Sequence, residues 1–507
     1  MRVLLVYPEF PDTYWSLRHA VRLEGRRAVI PPLGLMTVSA LLPPAWERRL
    51  IDMNVRRLTP ADLRWPDMVF ISAMRVQHDS LRQVIEQCKA AGKKVVIGGP
   101  YPSEIDGYAE ALEYFEGADH IFVGEAEATL PEFVQDLERG QKKHIYQAAE
   151  RPSLLTTPLP DFHLTELNRY SMMTVQYSRG CPFQCEFCDV IKIYGRVPRT
   201  KSNEQVLAEL DALYNLGWRG LVFIVDDNFI GNKPNVKRLL PALSEWSAQH
   251  NHPFSFLTEA SVNLAEDEEL LEGMRRAGFR RVFLGIETPV TESLKEARKM
   301  QNTRYDLLAS VRKIQSYGME VMAGFIVGFD NDPDDVFERQ SSFIRESAIP
   351  VAMLGLLNVP PATPLWKRLE REGRLLSFST GNNTDCSLSY VPKMDPARLI
   401  AGYKETFRAI YSAGTFYQRA LASLERVRQE TPEPQRDGFP RQLLSLARIV
   451  LKLGIHDHDR REFWRYMQQV LKLHRAKFGQ AVRLAALGHH FRRVAEFNGD
   501  SAAATRQ

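Results

Sequence analysis

The chain has 507 residues, enough for two or three domains. It contains no apolar run long enough to cross a bilayer. A net charge of +4 over this length gives no general case for nucleic acid binding.

Short apolar runs alternate with helical stretches over residues 1–145. Strands are predicted at Arg2–Tyr7, Arg49–Met53, Asp67–Ala73, Lys94–Gly98 and His120–Gly124. Helices are predicted at Leu33–Leu42, Asp79–Ala91 and Thr129–Arg139, the last opening on a capping box, Thr129-Leu-Pro-Glu132. This alternation implies a Rossmann-like, doubly wound parallel sheet. Ligands of such sheets lie at the carboxyl ends of the strands. Asn54, Ser72, Met74, Arg75, Val76, Gln77, Gly98, Gly99, Pro100, Val123, Gly124 and Glu125 follow strands, and Gly34 lies in Pro31-Pro-Leu-Gly-Leu35. Paired glycines at 98 and 99 let a ligand approach the backbone closely. No G-x-G-x-x-G follows the first strand, which weighs against a dinucleotide site. The stretch Pro8–Trp15 after that strand has no histidine, and Asp161-Phe-His163 lies in the next linker.

Residues 146–169 carry Pro152, Pro158 and Pro160 and read as a linker. From 170 to 365, about six strand–helix units follow, which suits a partial (β/α)6 barrel with its functional residues at the strand carboxyl ends. The first strand leads into Tyr177-Ser-Arg-Gly-Cys-Pro-Phe-Gln-Cys-Glu-Phe-Cys-Asp189. Thiolates are the usual ligands of iron–sulfur clusters, and a cubane takes four. Cys181, Cys185 and Cys188 supply three, which leaves one iron open for a substrate or cofactor. A zinc site would want a fourth Cys or His at matching spacing. The nearest histidines, His163 and His250, are remote in sequence. The opening run Met1–Pro8 reads as a strand rather than a signal peptide, which points to a reducing cytoplasm and not to disulfides. Later strand ends carry Asp226 and Asp227, Glu259, Gly285 with Glu287 and Thr288, and Gly324 to Gly328. A carboxylate after a strand also serves as a helix N-cap, a role that Asp226 and Asp332 suit.

Beyond residue 366 the strand pattern stops. Apolar residues recur at helical spacing through Ala397–Arg428 and Gln442–Phe497, the second stretch being rich in arginine. Two readings stay open: a basic amphipathic surface for an anionic membrane, or a helical cap with solvated arginines. Cys386 is isolated and reads as a buried thiol.

The cysteine run, Val225-Asp-Asp-Asn-Phe-Ile-Gly-Asn232, Gly285-Ile-Glu-Thr-Pro289 and Thr363-Pro-Leu-Trp366 resemble the cobalamin-dependent radical S-adenosylmethionine (SAM) family. Within it, the likeness is to the hopanoid C-2 methylase group, which has a helical C-terminal extension. The Pro31–Leu35, Gly98–Pro102 and Val123–Glu127 runs are similar to landmarks of its cobalamin-binding domain. The resemblance implies a [4Fe-4S] cluster on Cys181, Cys185 and Cys188. It implies SAM held by Glu259 and Glu287, with Gly285, Thr288, Gly324, Gly328 and Phe187 around it and Asp226 and Asp227 near its amino group or the substrate. Cobalamin would lie against the residues named after the first set of strands. Met74, Arg75, Val76 and Gln77 would face it where a histidine is missing. The implied reaction is methylation of an unactivated carbon through methylcobalamin and a 5′-deoxyadenosyl radical, with flavodoxin or ferredoxin as reductant. A non-methylating cyclase or ring-rearranging enzyme, and a non-catalytic cobalamin or redox sensor, are the alternatives. The run Val190–Arg196 departs from the hopanoid group, so the substrate stays open between a lipid and another small molecule.

Overall fold

A computed structural model describes residues 1–105, 113–428, 434 and 438–504, with side chains described as far as 496. Two six-stranded parallel sheets and a helical C-terminal region make up the chain. The first sheet contains β1 (Arg2–Tyr7), β2 (Glu47–Asp52), β3 (Met68–Ser72), β4 (Lys94–Gly98), β5 (His120–Val123) and β6 (Ile145–Gln147). Its order is β2-β1-β3-β4-β5-β6. The chain steps outward from β1 to β2 and then reverses to β3, so a topological switch point falls between the ends of β1 and β3. The central strands are continuous apolar runs, such as Val95-Val-Ile97, because helices cover both faces of a parallel sheet. The strand β6 begins at the last residue expected for the first domain and runs two residues into the expected linker; three residues, one of them buried, leave too little pattern to read.

The second sheet contains β7 (Met173–Val175), β10 (Gly220–Ile224), β11 (Phe254–Ala260), β12 (Phe279–Glu287), β13 (Glu320–Val327) and β14 (Val351–Leu356). Its neighbours run in unbroken sequence order from β7 to β14, the one-directional winding of an open half-barrel. Between β7 and β10, β8 (Ser178–Arg179) and β9 (Arg199–Thr200) pair antiparallel and close the base of the cysteine loop.

The last helices are Pro396–Tyr411, Ala413–Arg426, Phe439–Ile449, Arg460–Leu473 and Phe478–Ala504. They share one continuous core with the second sheet. Part of the basic stretch is neutralised within the fold: Arg483 reaches Glu320 at 2.6 Å, Arg492 lies 3.9 Å from Asp457, and Arg493 pairs with Glu496. No helix of the described residues is long and apolar enough to cross a membrane.

Two local expectations are corrected. The helix expected from Thr129 begins at Ala126, so Thr129 is buried in its first turn and bonds back to the Glu125 carbonyl instead of capping it. Cys386 is only half-buried, at φ +60°.

Candidate active site

The cysteine loop is pinned from several sides. Gly180 has φ +98°, and a Cβ there would stand 2.9–3.2 Å from three backbone carbonyls, so only glycine fits. The amide of Glu186 donates to Ala297 O at 2.8 Å, and its carboxylate accepts from Arg368 at 2.9 Å. All three motif thiols are free. Asn228 Nδ2 lies 3.9 Å from Cys181 Sγ, and Gln301 Nε2 lies 3.6 Å from Cys185 Sγ. Burial pushes the Cys181 and Cys188 thiols up, and the neighbouring sulfurs add to it. Such sulfurs need a cationic partner to ionise, and the amide N–H groups beside them suit cluster thiolates. Among the described residues, no three His, Cys, Asp or Glu side chains are already drawn together as a metal cage.

The carboxylates at the strand ends fall into two kinds. Asp226 is 1% exposed and accepts from Tyr177 N, Ser178 N and Ser178 Oγ at 2.7–2.9 Å. Asp227 accepts from Gly180 N at 3.0 Å. Both brace the start of the cysteine loop, and neither caps a helix. Asp332, likewise, accepts from Gly328 N, Phe329 N and Ser293 Oγ and caps nothing. Glu259 is different: it is half-buried near the end of β11, and its carboxylate has no hydrogen-bond donor among the described residues. Burial, and then Asp227, Asp226 and Glu287, push its carboxyl up to about 8. Once ionised, a carboxylate among three others would attract a cation.

Glu287 ends β12 at φ +64°, after a register shift between Gly285 and Glu287. A glutamate in the left-handed region needs outside support. Asn302 Nδ2 donates to the carbonyls of Gly285 and Ile286 at 2.9 and 3.0 Å, and Gln340 Nε2 donates to those of Glu287 and Ile326 at 3.0 Å. The Glu287 carboxylate pairs with buried Lys299. Burial works against the charge on Lys299, but Glu287 and then Cys185 more than offset it and raise its pKa. A Cβ at Gly285 would stand 2.5 Å from Lys299 Nζ, and one at Gly324 would stand 3.3 Å from the Phe283 ring. Phe187 lies 6.1 Å from Phe329, centroid to centroid, with Lys299 Nζ 6.0 Å from its own ring centre. The carbonyl oxygen of Gly328, at φ +109°, accepts from Tyr390 Oη at 2.6 Å, and Thr288 is fully buried. Lys299, Gln301, Asn302 and Gln340 were not legible as site residues. Lys299 precedes a short turn, Met300–Asn302, that holds Gln301 and Asn302, Gln340 lies on the helix Val336–Ser347, and only the fold returns them to the strand ends.

At the switch point of the first sheet a cleft of about 270 Å³ opens between the two sheets. Gly34, Ser72, Met74, Gly98, Gly99, Pro100, Gly124 and Glu125 line one side, and Gln176, Arg179, Tyr194 and Val225 line the other. No histidine is among its lining residues. A Cβ at Gly99, φ +94°, would collide with Ser72 Oγ, whereas Gly34 has open space before it. Five candidates point elsewhere. Asn54 bonds Phe10 N, Pro8 O and Asp52. Gln77 bonds Pro8 O and Met74 N. Arg75 is buried, paired with Glu104 at 3.0 Å and bonded to Ser379 O at 3.3 Å. Val76 and Val123 are not among the cleft's lining residues: the Val76 backbone nitrogen faces the Gly381 turn, and Val123 packs against the core of the first sheet. Glu125 lines the cleft but is tied up as a clasp: it pairs with Arg179 and Arg199, each at 2.6 Å, while Glu127 holds Arg179 at 2.9 Å. The first sheet is thereby fastened two residues ahead of Cys181.

Comparison with known proteins agrees with this geometry. Residues 21–134 match the B12 binding domain, 175–340 the radical SAM superfamily, and 363–502 a domain of unknown function, DUF4070. The chain is 43% identical to an uncharacterized methyltransferase of Synechocystis, over 97% of this chain and 91% of that one. It is 33% identical to the hopanoid C-2 methylase of Rhodopseudomonas palustris, over 96% and 92%. The fold is similar to that of the cobalamin-dependent SAM radical enzyme OxsB, solved with aqua-cobalamin and SAM (TM-score 0.61, 15% identity, 100% of this chain and 80% of that one). It is also similar to the methyltransferase TsrM of Kitasatospora setae, solved with cobalamin and a [4Fe-4S] cluster (TM-score 0.57, 17% identity, 80% and 85%). With three free thiols at one strand end, an unpaired acid at the next and a cleft between the sheets, the chain belongs to the cobalamin-dependent radical SAM methyltransferases, with SAM, a [4Fe-4S] cluster and cobalamin as its cofactors.

Proposed function

We propose that the protein methylates an unactivated carbon of a hydrophobic, lipid-like substrate such as a hopanoid. The observation that carries this reading is an apolar wall beside the acidic strand ends. Trp15 is 47% exposed and lies 5.0 Å from Phe283, centroid to centroid. Phe283 in turn meets Gly324, next to Glu287. A substrate without charges would be held there by contact area.

When bound, the cluster and SAM supply a 5′-deoxyadenosyl radical and cobalamin carries the methyl group. The residues bind, orient and exclude water. Cys181, Cys185 and Cys188 would hold the cluster, with the Asn228 amide beside Cys181 Sγ and the Gln301 amide beside Cys185 Sγ. Glu259 and Glu287 would accept from the SAM ammonium and ribose hydroxyls, and Lys299 would balance its carboxylate. Gly285 and Gly324 leave room that a side chain would fill, with Phe187, Thr288 and Gly328 at the edge. Asp226 and Asp227 fix the loop rather than touch the ligand. Gly34, Ser72, Met74, Gly98, Gly99, Pro100 and Gly124 would cradle cobalamin. The electron for SAM cleavage comes from outside the chain, from a carrier of the flavodoxin or ferredoxin class. A peripheral contact between the basic C-terminal helices and an anionic membrane would bring a lipid substrate within reach.

The test is isotope transfer. The enzyme, reconstituted anaerobically with cobalamin and a low-potential reductant, receives SAM with a deuterated methyl group and lipid extract containing unmethylated hopanoids. Label in a lipid, with S-adenosylhomocysteine and 5′-deoxyadenosine in solution, is expected. Both nucleosides with no labelled lipid would remove the lipid reading. 5′-Deoxyadenosine alone, formed in step with substrate consumption, would remove methylation.

A further inference from the structure

The helix Phe439–Ile449 runs on into a π-helical segment, Val450–His456. Along it, Phe439, Leu443, Leu451 and Ile455 are 50–76% exposed. With Ala447 they recur every four residues. Four-residue steps overshoot an α-helical turn, and the wider π turn takes back part of that drift, so the row stays on one side. The opposite side supplies the anchoring: Ile449 and Leu453 are buried in the main core, and Ser445 Oγ donates to Glu24 O at 3.1 Å. Trp464 of the next helix adjoins the row. Its indole N–H donates to Gly454 O at 2.9 Å, and its ring is 44% exposed.

The charged side chains of this stretch itself have one sign. From Gly438 to His456 there are Arg441, Arg448 and Lys452 and no aspartate or glutamate. Exposed Arg460 and Arg461 follow, set between Asp459 and Glu462, the latter paired with Arg465 at 2.6 Å. The nearest acid in sequence, Asp457, is occupied by His489 and Arg492. Large apolar side chains at 50% exposure or more are costly in water, and a cationic border repels a second copy of itself. An amphipathic helix with basic flanks and a half-buried tryptophan suits the plane where anionic headgroups meet acyl chains.

We infer that the row Phe439, Leu443, Leu451 and Ile455, in a stretch whose only charged residues are Arg441, Arg448 and Lys452, is the surface by which this protein lies on an anionic lipid bilayer. The inference rests on the membrane contact proposed above and gives it a place and an orientation. Insertion is shallow, and the second sheet stays in water.

The test is co-flotation of the full chain with vesicles, which needs no turnover and so stands apart from the methylation assay. Phosphatidylcholine vesicles are compared with the same vesicles containing phosphatidylglycerol. Binding to the anionic vesicles, weakened by salt, is expected. Leu443→Glu and Leu451→Glu should each lower affinity on the order of tenfold or more. Lys452→Glu, which leaves every apolar residue in place, should weaken binding to anionic vesicles and leave binding to neutral ones unchanged. Circular dichroism and cobalamin uptake equal to wild type establish that the variants are folded. No binding of wild type to anionic vesicles would overturn both the row and the membrane contact. Binding that these substitutions leave unchanged would overturn the row alone. A dimer in sedimentation velocity that Leu443→Glu dissolves would assign the row to a second copy and overturn the inference.

Discussion

The two parallel sheets have the same number of strands and opposite chemistry at their carboxyl ends. The first ends in glycines and small neutral residues, Ser72, Gly98, Gly99 and Gly124, around a cleft whose lining is mostly apolar apart from the Glu125, Glu127 and Arg179 clasp. The second ends in Asp226, Asp227, Glu259 and Glu287, beside three thiols. Winding explains part of this. The first sheet reverses direction at β1 and β3 and so opens a crevice for a broad ligand, while the second winds one way and curves its strand ends around a compact site. Charge explains the rest. A large uncharged ring system needs backbone approach and area, whereas SAM brings cationic centres that acids can hold.

Substitutions that break one half and spare the other sharpen this contrast. The largest effect is expected from Cys188→Ala: iron and sulfide content should fall to background and turnover should vanish, with cobalamin uptake intact by absorbance. Lys299→Ala leaves Glu287 buried without its partner, which should cost about 3–5 kcal/mol in denaturant unfolding. Lys299→Arg should recover part of that loss. In the other half, Gly34→Leu should leave stability within about 1 kcal/mol, because nothing stands within 4 Å of its Cβ position. The leucine would project into the cleft, so cobalamin affinity should fall about tenfold or more while the cluster assembles normally.

The smallest effect is one of pH. The Glu259 carboxyl has its pKa raised to about 8, so at neutral pH it holds a proton that must leave before it can accept from a cation. SAM affinity should therefore rise with pH and level off above about 8. The same ionisation lowers the stability of the unliganded protein as pH rises, because the folded state favours the proton. Calorimetric titration of SAM against pH measures the first effect, and Glu259→Gln should flatten the curve.

Much of this site was legible along the chain, for a definable reason. Cysteines at close spacing, Gly98-Gly99, and acids one residue past a strand are local patterns whose chemistry does not depend on distant partners. The division of labour among them was not legible. Asp226 and Glu259 look alike in sequence, yet one accepts three hydrogen bonds from the cysteine loop and the other accepts none. Arg75 and Met74 are adjacent, yet Arg75 turns inward to Glu104 while Met74 lines the cleft. Glu125 reads as a ligand of the first sheet and is instead one end of the clasp to Arg179 and Arg199.

The sequence by itself determined the two α/β halves, the helical C-terminal region and the cofactor set, because periodicity and close spacing are properties of a few neighbouring residues. Only the tertiary structure decided which acid stays free, that Lys299 balances Glu287 across 12 residues, and that β6 extends the first sheet. It also decided which arginines of the basic tail are spent on Glu320 and Asp457 and which stay at the surface. Those outcomes depend on burial and on partners brought together by folding, and a pattern along one chain carries neither.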